Sequence, residues 1–171
     1  MSKPMNLRTA VAQMDIAPRD VEANLARHLD FIEQARAQGV QVHVFPELSL
    51  TGYRQRTHSL GMAYDSEVLA RLARAAAEMF VVVGFVEEGF AAQHFDSAAV
   101  LHEGQIVHLH RKLNLATYGD MDEGKYFATG RYLETFEIGG GFHAAVLICS
   151  DMWNPGLVHL AALHGATILL V

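Results

Sequence analysis

Residues 142–171 read FHAAVLICSDMWNPGLVHLAALHGATILLV. The apolar run Phe142–Ile148 has the length and β-branched content of a buried strand, and it ends on Cys149. Asn154 and Pro155 follow, a capping residue and then a proline suited to a first helical turn, so Trp153–His164 reads as a helix. Ala166–Val171 is again an apolar run of strand length. Strand, helix, strand is the building unit of an α/β protein. A cysteine at the carboxyl end of such a strand lies where α/β sheets gather ligands and catalytic groups.

Working outward, the first half repeats the pattern. Arg8–Met14 reads as a buried strand, and Pro18 and Asp20 mark a turn and a helix start. Val21, Leu25, Leu29 and Ile32 recur at spacings of three and four, one face of an amphipathic helix that Gly39 closes. Val40–Phe45 is a second strand and runs into Pro46-Glu47. Ser66–Met79, rich in Ala, Leu and Arg, predicts a second helix, and Phe80–Val86 a third strand. Phe95–His102 and Gln105–His110 flank Glu103-Gly104, a hairpin turn. Arg111–Arg131 is long, polar and without period, the kind of loop that is often functional. These elements predict an α/β protein with a mixed sheet.

Composition narrows the function. The chain has 171 residues, 51% hydrophobic and 19% charged, enough for one domain with a core. A net charge of -6 argues against nucleic acid as a partner, since phosphate binding needs a basic face. No apolar run has the length of a membrane span, and polar Met1–Asn6 does not read as a signal peptide. One cysteine excludes an intrachain disulfide and points to a reducing, cytoplasmic setting.

Three residues stand out chemically. A helix after Cys149 would aim the backbone N–H groups of Ser150 and Asp151 at the sulfur, stabilising a thiolate or an oxyanion; a free cysteine otherwise simply packs. Glu47 is a carboxylate among apolar neighbours, suited to proton transfer, or else a solvated loop residue. Either Arg111 or Lys112 must point inward, because adjacent strand residues face opposite sides; an inward lysine needs an anion, whereas an exposed basic pair needs nothing. Ten histidines invite a metal reading, with His102, His108 and His110 the best cluster. No second cysteine and no His-Glu-x-x-His helix supports zinc, so no metal is expected. Gly139-Gly140-Gly141 precedes a strand and reads as a turn, not a phosphate loop.

Taken together, Phe45-Pro46-Glu47-Leu48 with Thr51-Gly52-Tyr53, His110-Arg111-Lys112-Leu113, and Leu147-Ile148-Cys149-Ser150-Asp151 resemble the three signatures of the nitrilase superfamily, in order and spacing. Tyr118–Phe127 resembles the segment that carries that family's second glutamate, here Glu123. The resemblance implies a four-layer α-β-β-α sandwich, incomplete in this chain, which corresponds to about the first two-thirds of such a domain. It implies Cys149 as nucleophile, Glu47 as base and Lys112 as cationic partner, with Glu123 orienting Lys112 or the substrate. Tyr118, Ser150 and Trp153 become candidate substrate contacts. Ala116, Met121 and Ser150 depart from commoner residues of the family.

The activity so implied is hydrolysis of a small amide or carbamoyl amine through a cysteine thioester, releasing ammonia, with neither metal nor organic cofactor. Nitrile or glutamine hydrolysis would use the same residues, and a non-catalytic scaffold is the alternative of another class. The resemblance also implies a homodimer or larger homo-oligomer.

Overall fold

The computed structural model describes residues 6–52 and 61–171, so Tyr53 lies outside the described residues. Strand β1 (Thr9–Val11) leads to helix α1 (Val21–Ala37) and strand β2 (Val42–Val44). Asp20 caps α1, its carboxylate accepting from Ala23 N at 2.9 Å. Helix α2 (Glu67–Ala76) starts at Ser66 and delivers the chain to β3 (Phe80–Glu88). The hairpin β4 (His94–His102) and β5 (Gln105–Arg111) turns at Glu103 and Gly104, both at positive φ. Then come β6 (Phe136–Glu137), β7 (His143–Val146), α3 (Pro155–Leu163) and β8 (Ile168–Leu170).

The strands form two sheets, not the one mixed sheet that the residue pattern predicts. The first has the order β1-β2-β3-β4-β5, parallel through β3 and antiparallel after it. The second has the order β6-β7-β8, with β7 and β8 parallel. Side-chain alternation explains the split. On β4, Ala99 and Leu101 pack with Leu25 and Ile32 of α1 and Leu69 and Leu72 of α2. Ala98 and Val100 point the other way and meet Ala144, Val146 and Leu170 of the second sheet. That sheet turns Ala145 and Leu147 outward against Ala161 of α3. The layers are therefore helix, sheet, sheet, helix, the α-β-β-α sandwich.

Two local readings need correction. Cys149–Asp151 form a tight 3-10 turn, and α3 begins only at Pro155, because Asn154 takes the capping position and accepts from Gly156 N at 3.0 Å. Strand β6 is only two residues long, too short to show a period in the sequence.

Candidate active site

The ends of β2, β5 and β7 converge at one end of the layer between the sheets, where Glu47, Lys112 and Cys149 follow them. Each is positioned by backbone that the sequence forces into place. Past β2, Pro46–Gly52 coils tightly: Ser49 N donates to Pro46 O at 3.1 Å and Gly52 N to Leu48 O at 2.7 Å. Leu50 N donates to Gly84 O at 3.0 Å, which ties the coil to β3. The coil lies so close to β3 that a Cβ on Gly84 would stand 2.5 Å from Leu48 N. Helix α1 grips it from behind. His28 Nε2 bonds Ser49 Oγ at 2.9 Å, and Asn24 Nδ2 donates to Leu50 O at 3.1 Å. His28 and Asn24 are buried polar members of an otherwise apolar helix face, a signal the hydrophobic period alone does not carry.

Of the pair Arg111 and Lys112, the lysine is the inward one. Arg111 turns to the other face, stacks on Phe95 and forks onto buried Glu87 at 2.7 and 2.5 Å. Lys112 Nζ is fully buried among three carboxylates: it bonds Glu47, Glu123 at 2.9 Å and Asp96 at 3.3 Å. Burial opposes its charge, but Asp96 and Glu47 more than offset that and push the ammonium pKa above its ordinary value. Lys112 is thus a permanent cation here. Glu123 also accepts from Ala116 N at 2.7 Å, which folds the polar loop over the lysine. Glu47, Asp96 and Glu123 bring one oxygen each within 4.8 Å of one another, the kind of acid cluster that can hold a metal ion. The cation bonded to all three is the lysine's own.

Cys149 sits on a sharp elbow at φ 44°, a left-handed conformation rare for a residue with a side chain. It is exposed and shares a cleft of about 350 Å³, open mouth included, with Glu47, Asp96, Gly84 and Val171. Partial burial of the sulfur, with the Glu47 charge next, raises the thiol pKa, so at neutral pH the group is S–H and needs a base. The N–H of Asp151 does not aim at the sulfur as the sequence suggested. It donates to Ile148 O at 2.9 Å, because the 3-10 turn closes on itself.

Asp151 has another task that the sequence did not reveal. One carboxylate oxygen accepts from Leu113 N and Asn114 N at 2.9 and 2.6 Å. The other accepts from Ile148 N at 3.0 Å and faces His110 Nε2 at 3.0 Å. This buried carboxylate staples the segment after Lys112 to the elbow of Cys149. Ser150 is fully buried and reinforces it, its Oγ donating to Asn114 O at 2.5 Å. Tyr118 and Trp153 are 55% and 79% exposed, and neither lines the cleft with Cys149. The three strand histidines do not converge: His102 stacks on Phe80, His108 on Phe136, and His110 is held by Asp151.

The carbon-nitrogen hydrolase family model matches residues 8–171, nearly the whole chain. The chain belongs to this family. A glutamine-dependent NAD(+) synthetase of Thermotoga maritima is 33% identical over 154 residues, covering 87% of this chain and 26% of the synthetase. The structure of a glutamine-dependent NAD+ synthetase from Acinetobacter baumannii in complex with ADP superposes with TM-score 0.81 at 28% identity, covering 93% of this chain and 31% of that one. A mutant amidase from Nesterenkonia sp. AN1, with the acetamide moiety of fluoroacetamide added covalently at its active-site cysteine, gives TM-score 0.83 at 25% identity. That alignment covers 95% of this chain and 63% of the amidase. The chain thus spans under a third of the synthetases and somewhat under two-thirds of the amidase. Among its described residues no helix is long and apolar enough to cross a membrane.

Proposed function

We propose that this carbon-nitrogen hydrolase cleaves a primary carboxamide through a thioester on Cys149 and releases ammonia. The observation that carries the proposal is one cleft shared by an elbow cysteine held as a thiol and a carboxylate bonded to a buried ammonium. Glu47 takes the thiol proton, and sulfur attacks the carbonyl carbon. The Lys112 charge and the Ser150 backbone N–H stabilise the oxyanion. Glu47 returns the proton to the departing nitrogen, ammonia leaves, and a water activated by Glu47 hydrolyses the thioester. Glu123 holds Lys112 in place. A fixed dipole or charge where the oxyanion forms is worth on the order of 100- to 1000-fold in rate.

Two substrate classes follow from the relatives. The amidase with its acetamide adduct supports a small aliphatic amide. The glutamine-dependent synthetases support glutamine, whose side chain is also a primary carboxamide. Carbamoyl amines present the same reactive group. The reading further takes the working protein as a cytoplasmic homo-oligomer, without nucleic-acid partner or cofactor, in a setting that keeps the thiol reduced. The test is ammonia release from small amides, carbamoyl amines and glutamine, comparing the chain with Cys149→Ala. Ammonia production that survives in Cys149→Ala would refute the proposal.

A further inference from the structure

Asp96 lies on β4 and lines the same cleft as Glu47 and Cys149, yet the chemistry above gives it no task. It escaped the sequence reading because, inside an alternating strand, a lone Asp reads as one more solvent-facing residue. Its side chain is completely buried. Oδ2 stands 3.3 Å from Lys112 Nζ, the longest of that ammonium's three contacts. Oδ1 receives no hydrogen bond from any described donor. The Glu47 carboxylate stands close by, within the same 4.8 Å cluster.

The charges around it do not balance. With all carboxyls ionised, half-buried Glu47 and buried Asp96 and Glu123 would set three negative charges against the Lys112 ammonium. Two carboxylates this close do not both ionise readily without a compensating cation each, and among the described residues the Lys112 ammonium is shared three ways. The other described titratable groups facing this end of the cleft do not relieve the imbalance. Cys149 is a thiol, and His110, on β5 two residues before Lys112, is engaged with Asp151. From β3, the residues paired to β4 here are Gly84 and Val86, which carry no charge.

We propose that Asp96 carries a proton and donates it to the Glu47 carboxylate, making it a positioning residue for the base. The proton leaves Glu47 as the ionised partner of the pair and fixes its carboxylate toward Cys149. It also removes the charge that would hold the third Lys112 N–H on Asp96. That N–H, already at the long distance, becomes free to turn toward the substrate oxygen as negative charge develops there. Burial and then the Glu47 charge push the Asp96 carboxyl well above the usual carboxylate range, with Lys112 pulling the other way.

The inference rests on the proposed role of Glu47, so its test has one arm that needs no turnover. Infrared difference spectra at pH 7 between the wild type and Asp96→Asn should show the carbonyl band of a protonated carboxylic acid, lost in the variant. A difference made only of ionised-carboxylate bands overturns the proposal. The second arm follows alkylation of Cys149, the sole cysteine, by iodoacetamide. Asp96→Asn keeps a neutral group with an N–H donor and should slow alkylation by about threefold, whereas Asp96→Ala should slow it by about thirtyfold. An Asp96→Asn protein as slow as Asp96→Ala shows that the carboxylate charge itself is needed and overturns the proposal. If Glu47→Gln left alkylation unchanged, the base assignment would fall, while the infrared band would still decide the state of Asp96.

Discussion

Gly84→Ala tests the way Glu47 is held. A Cβ at this position would lie 2.5 Å from Leu48 N, 2.7 Å from Pro46 O and 3.0 Å from the Glu47 carbonyl carbon. All three are backbone atoms, so no side chain can swing aside. Ordinary contact begins near 3.4 Å, so one partner must retreat by roughly 1 Å. Strand β3 is paired on both sides, to β2 and to β4, and is the stiffer partner. The coil at Pro46–Leu48 therefore moves and takes the Glu47 carboxylate out of line with Cys149. Overpacking of this kind costs about 1–3 kcal/mol of stability, and a displacement of about 1 Å at a reacting group costs about 100-fold in rate. The variant should melt cooperatively a few degrees below the wild type by circular dichroism. Its Cys149 alkylation and ammonia release should fall by about two orders of magnitude. A folded Gly84→Ala protein within twofold of wild-type rate would refute the idea that this close approach sets the base.

Further outcomes follow from other parts of the structure. Cys149→Ala should abolish ammonia release, and Lys112→Met should lower it by at least about 100-fold, measured in the same assay. Because Cys149 sits at φ 44°, Cys149→Gly should be about 1 kcal/mol more stable than Cys149→Ala in urea titrations; equal stabilities would mean that the elbow stores no strain. Burial holds His28 at a pKa of about 4, below the 6.5 of an unfolded chain. Between these values the unfolded chain binds a proton that the native one refuses, so this contribution is intact above pH 6.5 and is lost as pH falls toward 4. The loss is at most roughly 3 kcal/mol, and His28→Gln should flatten that part of the stability–pH curve. Glu87→Ala removes the acceptor of Arg111 and Ser97 on the far side of β5. It should cost about 2 kcal/mol in unfolding while leaving Cys149 alkylation nearly unchanged.

Much of this protein was legible one residue at a time. The strand and helix periods placed α1, α2 and the β4–β5 hairpin nearly to their ends, because burial on one face writes itself into the local sequence. The segments around Glu47, Lys112 and Cys149 were legible as a set, because their residue types, order and spacing resemble a known family. Strand alternation narrowed Arg111 and Lys112 to one inward residue, and the family resemblance singled out Lys112.

What the tertiary structure decided, beyond any local period, lies in pairings across the chain. The two sheets and the inward Lys112, which the family resemblance implied and the residue pattern alone left open, and the grip of His28 and Asn24 on the Glu47 coil all depend on residues far apart in sequence. So do the Asp151 staple and the burial of the Asp96 carboxyl beside Lys112. A local period records that a side chain is buried, not which group it meets. Those partners are fixed only when β2, β4, β5 and β7 bring their ends together, and there the balance of charge around one lysine is set.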